Sequence, residues 1–114
     1  MSTTIYHNPR CSKSRATLAL LQEKGIEPEV IEYLKTPPTE AELDAILNKL
    51  DMEPADFMRT GEDEYKAHIK GNDLSRAEAI GLMVKYPRLI ERPVVVNGEK
   101  AAVGRPPESV LAIL

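Results

Sequence analysis

The first 34 residues restrict the topology of this chain more than any other stretch. "TIYH" (4–7) is a short run with strand composition, and Ser12 to Lys24 has helical composition with Gly25 just past its end. "VIEYL" (30–34) is a second β-branched and aromatic run. A strand, a helix and a strand this close together make a βαβ unit. Its strands must be parallel and its crossover right-handed.

The middle of the chain has helical period. In "TPPTEAELDAILNKL", Thr39 and Glu42 stand at capping-box spacing, and Leu43, Ile46, Leu47 and Leu50 follow at i, i+3, i+4 and i+7. Pro54 opens a short helix through Met58, and "EDEYKAHI" supplies another. Ser75 and Glu78 repeat the capping pattern; Ala77, Ile80 and Val84 are the expected buried stripe, and Pro87 ends that helix. The last third changes period again. "PVVV" (93–96), Asn97-Gly98 and "KAAV" (100–103) predict a β-hairpin. "PPESVLAIL" predicts a closing helix with Val110, Leu111 and Leu114 facing inward. The order β-α-β, helices, β-β-α resembles the thioredoxin fold. The expected class is therefore α/β: a mixed four-stranded sheet with helices on both faces and a helical insertion over about 38–87, in one domain spanning 1–114.

Composition bounds the function. With 114 residues, 42% hydrophobic and 29% charged, the chain can bury a core without disulfides or metal. Its single cysteine cannot form an internal disulfide, so nothing points to an oxidising compartment. The apolar run nearest the start, "ATLALL", is too short for a secretory leader, and nothing approaches the roughly 20 apolar residues of a bilayer span. A cytoplasmic protein without membrane attachment is expected. The net charge of −3 argues against nucleic-acid binding. Yet Arg10, Lys13 and Arg15 lie in the first 15 residues with no carboxylate among them, a setting suited to a small anion.

That cationic segment, "YHNPRCSKSR" (6–15), contains Cys11. A thiol is a useful nucleophile as thiolate, and a helix start offers it unpaired N–H groups and the positive end of the dipole. The alternative is a buried, inert cysteine, but the neighbours of Cys11 are polar and basic where a core cysteine has apolar ones. Ser14, in a C-x-x-S pattern, cannot close a disulfide; it either donates its hydroxyl to the thiolate or caps the first turn. His7 either assists the thiolate or makes a structural hydrogen bond. A phosphatase-type C-x₅-R loop is excluded, because position 17 is Thr. His7, Cys11 and His68 make no credible metal site, and His68 reads as surface. Arg10 and Lys13 read as long-range field, and Arg15 as structural. Arg92 and Arg105 each precede a proline, which gives each guanidinium a defined exit; each could equally be a surface or salt-bridge arginine.

Taken together, "IYHNPRCSKSRATLALL", "EYLKTPP", "FMRTGEDEY", "LIERPVVV" and "GRPPE" resemble, in order and over essentially the whole chain, the glutaredoxin-linked arsenate reductases and their relatives. The middle pair of "CSKS" and an end at Leu114 are more similar to the shorter, arsenate-reductase-like branch. The resemblance implies that Cys11 is catalytic, with His7 and Ser14 near the thiolate, and that Arg59, Arg92 and Arg105 bind the oxyanion. It also implies that Pro93 is the proline facing the cysteine, the one thioredoxin-like folds hold in cis. The implied activity is reduction of arsenate to arsenite, with arsenate or a similar small oxyanion as the bound partner, glutathione as co-substrate and glutaredoxin restoring the thiol. No tightly bound cofactor and a monomer are expected. Two other readings remain at this point. One is a monothiol glutathione–disulfide oxidoreductase, which needs no oxyanion clamp. The other is a non-enzymatic regulator like the Spx proteins, binding RNA polymerase through the hydrophilic "RTGEDEYKAHIKGNDLS" segment.

Overall fold

The structure is a computed structural model that describes residues 3–114. It divides into two compact units. One comprises the chain up to Thr36 together with Arg92–Leu114; the other is Pro37–Glu91.

The first unit contains β1 (Thr3–His7), α1 (Ser12–Glu23), β2 (Glu29–Glu32), β3 (Val94–Asn97), β4 (Lys100–Val103) and a 3-10 helix over Pro107–Ile113. The strands form one mixed sheet in the order β2-β1-β3-β4. β1 runs parallel to β2 and antiparallel to β3, and β3 antiparallel to β4. The βαβ unit and the hairpin read from the sequence are therefore the two halves of one sheet, joined through β1. Ile5 pairs with Val95 and Val95 with Ala102, so the three residues share a face. Ile5, Leu21, Val95 and Val110 form the fully buried centre beneath α1 and the C-terminal helix, with Leu18, Ile26 and Ile113 packed around them.

Two details of this unit differ from expectation. The hairpin turn is Gly98-Glu99, not Asn97-Gly98, because Asn97 is the last ladder residue and pairs with Lys100. Gly98 takes φ +63°, the conformation glycine adopts without penalty, and Asn97 uses its side chain to donate to the Ile113 carbonyl at 2.7 Å. In the C-terminal helix Val110 is buried and Ile113 packs beside it, whereas Leu111 and Leu114 are exposed. The reason is the helix type. At three residues per turn, positions 110 and 113 eclipse, so the inward face skips the residues that a 3.6-residue period selects.

The second unit contains α2 (Glu40–Leu50), a 3-10 turn over Pro54–Phe57, α3 (Asp63–His68), α4 (Arg76–Lys85) and a 3-10 turn over Pro87–Leu89. Both capping boxes form, Thr39 with Glu42 and Ser75 with Glu78. Leu43, Ile46 and Leu47 are buried on α2 as expected, with Leu50 half-buried. On α4 the buried residues are Ala79, Ile80 and Met83; Ala77 is exposed and Val84 half-buried. The apolar positions 77, 79, 80, 82, 83 and 84 encircle too much of the helix for the sequence to fix its inward face. Contact with α2 fixes it. Arg76 bonds Asp44 Oδ1 at 2.8 Å and Asn48 Oδ1 at 3.0 Å, while Gly81 lies so close to Glu40 that a Cβ there would sit 3.1 Å from Oε1. Short backbone bonds tie the strand-like segment Phe57–Arg59 to Leu89–Glu91, through an isolated bridge between Met58 and Ile90. Exposed His68 stacks on Tyr86, ring centroids 4.8 Å apart. Among the described residues no helix is long and apolar enough to cross a membrane, and no group of three potential ligands is arranged to hold a metal.

Candidate active site

The loop between β1 and α1 is built by Asn8. Its side-chain Oδ1 accepts from the Arg10 N–H and its carbonyl from the Cys11 N–H, each at 3.0 Å. This Asx-type turn before Pro9 brings the chain into α1 with Cys11 as the N-cap residue, in extended geometry at φ −93°, ψ 124°. Sequence reasoning passed over Asn8, although the Asn-Pro pair is a turn-initiating signal.

An N-cap side chain is aimed at the N–H groups of the second and third helical residues. Here these are Lys13 and Ser14. Both face the sulfur without closing a full capping bond, which suits a bulky, polarisable acceptor. Arg105 Nη2 lies 3.7 Å from Cys11 Sγ, while Arg105 Nε donates to the Arg92 carbonyl at 2.8 Å. Cys11 is partly exposed and has no disulfide partner. Partial burial pushes its thiol up, but the Ser14 N–H, Arg92, the Lys13 N–H and Arg105 outweigh it, and the net direction is below the ordinary thiol value.

His7 and Ser14 meet each other rather than the sulfur. Ser14 is fully buried, its Oγ is 2.6 Å from His7 Nδ1, and it also accepts the Asn8 N–H at 3.0 Å. The hydroxyl is therefore engaged, and the backbone N–H of Ser14 is the group that faces Cys11. Burial lowers the pKa of His7; Glu32 opposes this and Arg15 adds to it, leaving a net lowering that favours the neutral imidazole. Arg15 also donates to the Pro9 carbonyl at 3.0 Å, fixing the turn from outside.

Pro93 and Gly104 pack together beside Thr17 of α1. The Arg92–Pro93 peptide bond is cis, as is Arg105–Pro106. Gly104 donates to the Pro93 carbonyl at 2.9 Å. A Cβ at Gly104 would overlap Thr17 Oγ1 and stand 2.8 Å from Pro93 Cγ, so this position has no room for a side chain. Gly104 thereby sets where Arg105 leaves the chain, a role the sequence reading did not assign. The first unit thus gathers His7, Cys11, Ser14, Arg92, Pro93 and Arg105. Arg59 belongs to the second unit, where its Nη1 pairs with Glu62 Oε1 at 2.6 Å and its N–H bonds the Leu89 carbonyl at 2.8 Å.

An accessible thiol whose charged form is favoured by N–H groups and two guanidinium groups can attack an electrophile, and the same cations can receive an anion. Comparison with known proteins agrees with this chemistry. The chain is 49% identical to an arsenate reductase of Haemophilus influenzae, each covered over its full length. It is 53% identical to the uncharacterized protein YfgD of Escherichia coli K12, over 96% of this chain and 94% of that one. Among solved structures, an arsenate reductase from Vibrio cholerae superposes with a TM-score of 0.96 at 49% identity, covering 100% of this chain and 98% of that one. The model of the ArsC family matches residues 6–113, so the chain belongs to that family, and its fold is the thioredoxin-like one.

Proposed function

We propose that the protein is an arsenate reductase working through one cysteine, with glutathione and glutaredoxin as the source of electrons. The observation that carries the reading is the position of the Cys11 sulfur, at a helix N-terminus and 3.7 Å from Arg105 Nη2. A thiol for glutathione exchange profits from a favoured thiolate but needs no oxyanion clamp, whereas a thiol that attacks an oxyanion uses such a guanidinium for both. Relatives named arsenate reductase, at 49% and 47% identity, support the choice of oxyanion.

In this reading Arg92 and Arg105 hold arsenate beside the thiolate, and the family resemblance of "FMRTGEDEY" implies Arg59 as a further oxyanion ligand. Cys11 sulfur attacks arsenic, forming an S–As(V) bond as an arsenic oxygen leaves, protonated, as water. Glutathione thiolate then attacks Cys11 sulfur. An S–S bond forms, the S–As bond breaks, and its electron pair stays on arsenic, which departs as arsenite, As(III). The two sulfurs are each oxidised by one electron. Glutaredoxin returns Cys11 to the thiol by exchange. Because the chain has one cysteine, an external thiol is required for turnover.

The test is arsenite formation by purified protein with glutathione and glutaredoxin. Cys11→Ser is expected to fall to the uncatalysed background; a rate equal to wild type overturns the mechanism. Turnover of a glutathione mixed disulfide without arsenite formation would replace it with simple thiol exchange.

A further inference from the structure

Thr17 stands where a phosphatase-type loop would carry arginine, and the mechanism gives it no part. Yet it is a fully buried polar residue on α1, less than two turns beyond Cys11. A buried hydroxyl needs a partner, and that of Thr17 donates to the Lys13 carbonyl at 2.8 Å. The Lys13 carbonyl and the Ser14 N–H belong to one planar peptide group. That N–H is one of the two that face the Cys11 sulfur. Burial pushes the Cys11 thiol up, and the Ser14 N–H is the strongest of the groups that oppose it. The Thr17 hydroxyl therefore grips the far end of the peptide group on which the thiolate most depends.

A donor on a carbonyl draws electron density toward its oxygen. The N–H at the other end of the same peptide then becomes a stronger donor, by roughly 10–30% per bond. A planar group fixed at its oxygen also keeps the direction of its N–H. Threonine on a helix divides between two χ1 rotamers, and Gly104 bears on which one Thr17 holds. A Cβ at Gly104 would overlap Thr17 Oγ1 and stand 3.1 Å from its Cγ2, so both branches are seated against that residue. Gly104 in turn precedes Arg105, whose Nη2 lies 3.7 Å from the same sulfur. We propose that Thr17 is a positioning residue for Cys11, its hydroxyl holding and polarising the Lys13–Ser14 peptide group so that the Ser14 N–H is aimed at the sulfur. The inference rests on Cys11 acting as the nucleophile of the proposed reaction. A threonine that only satisfied its own hydroxyl would serve the fold, and its loss would change stability without changing the thiol.

The experiment follows iodoacetamide alkylation of Cys11 against pH in wild type, Thr17→Val, Thr17→Ala and Thr17→Ser. It also measures their kcat/KM for arsenite formation with glutathione and glutaredoxin. Arg92 and Arg105 are present in every variant, so the charges around the sulfur stay constant. Thermal melts identify any variant that fails to fold, and Thr17→Ala stands in for Thr17→Val if the extra methyl does not fit against Gly104. In both hydroxyl-free variants the alkylation midpoint is expected to move upward. The rate at the wild-type midpoint should fall about twofold while the high-pH plateau is retained. Their kcat/KM is expected to fall about threefold to tenfold. Thr17→Ser keeps the hydroxyl and is expected to keep the wild-type midpoint, with kcat/KM within about twofold. A wild-type midpoint in folded Thr17→Val or Thr17→Ala overturns the inference, as does a Thr17→Ser that shifts as far as they do. Alkylation needs no arsenate, so the two readings fail separately. A shifted midpoint with no arsenite formed by wild type removes the proposed reaction alone; normal arsenite formation with unshifted midpoints removes the positioning role alone.

Discussion

The sulfur of Cys11 is pulled in two directions. Burial favours the neutral thiol, and the Ser14 N–H, Arg92, the Lys13 N–H and Arg105 favour the thiolate. The second group wins, so the folded state holds the proton more weakly than an ordinary thiol does, and alkylation should be fast at pH values where a free cysteine is still protonated. Arg105→Ala removes one of the groups favouring the anion. The pH midpoint of iodoacetamide alkylation is then expected to move upward; an unmoved midpoint would mean that Arg105 contributes nothing to the thiolate. Same-site activity is expected to fall on the order of 10²-fold, the usual cost of losing one oxyanion donor. That Cys11 opens a helix was readable, because capping depends on a few adjacent residues. The engagement of the Ser14 hydroxyl was not. A serine near both a thiol and an imidazole has two suitable partners, and the choice depends on where β1 delivers His7.

Each helix shows how far local pattern reaches. The capping boxes of α2 and α4 formed as read, since both partners lie within one turn. The inward faces of α4 and of Pro107–Ile113 did not follow from pattern, because a broad apolar ring, or a switch to three residues per turn, lets packing choose. The C-terminal helix permits a direct check by urea denaturation. Val110→Ala is expected to cost about 2 kcal/mol, two methyl groups and a cavity, and Leu111→Ser to stay within about 0.5 kcal/mol. The reverse ranking would restore the α-helical phase. The contact between α1 and the loop after β4 is tighter still. Gly104→Ala must displace Thr17 or Pro93 and is expected to lose about 1–3 kcal/mol of stability. Thr17→Ala in the same chain should recover part of that loss, measured as a double-mutant cycle; strict additivity would deny the contact.

The charge of the protein as a whole, −3, opposes the binding of anions, and the acid-free segment containing Arg10, Lys13 and Arg15 reverses that locally. Attraction of this kind is screened by salt. Raising ionic strength from about 0.05 to about 0.5 M shortens the screening length from over 10 Å to under 5 Å, and KM for arsenate is expected to rise roughly two- to threefold with kcat unchanged. A KM indifferent to salt would assign recognition entirely to short-range contacts.

The order of strands and helices, the two capping boxes and the place of Cys11 at a helix start were all written in the chain. Each depends on neighbours a few residues apart, where propensity and hydrogen bonding are local. Residues distant in sequence had to be brought together before the rest was settled: Gly104 against Thr17, Arg105 over Cys11, Ser14 under His7. Such pairings depend on the register of a sheet and the depth of a helix upon it, and no spacing along the chain encodes either.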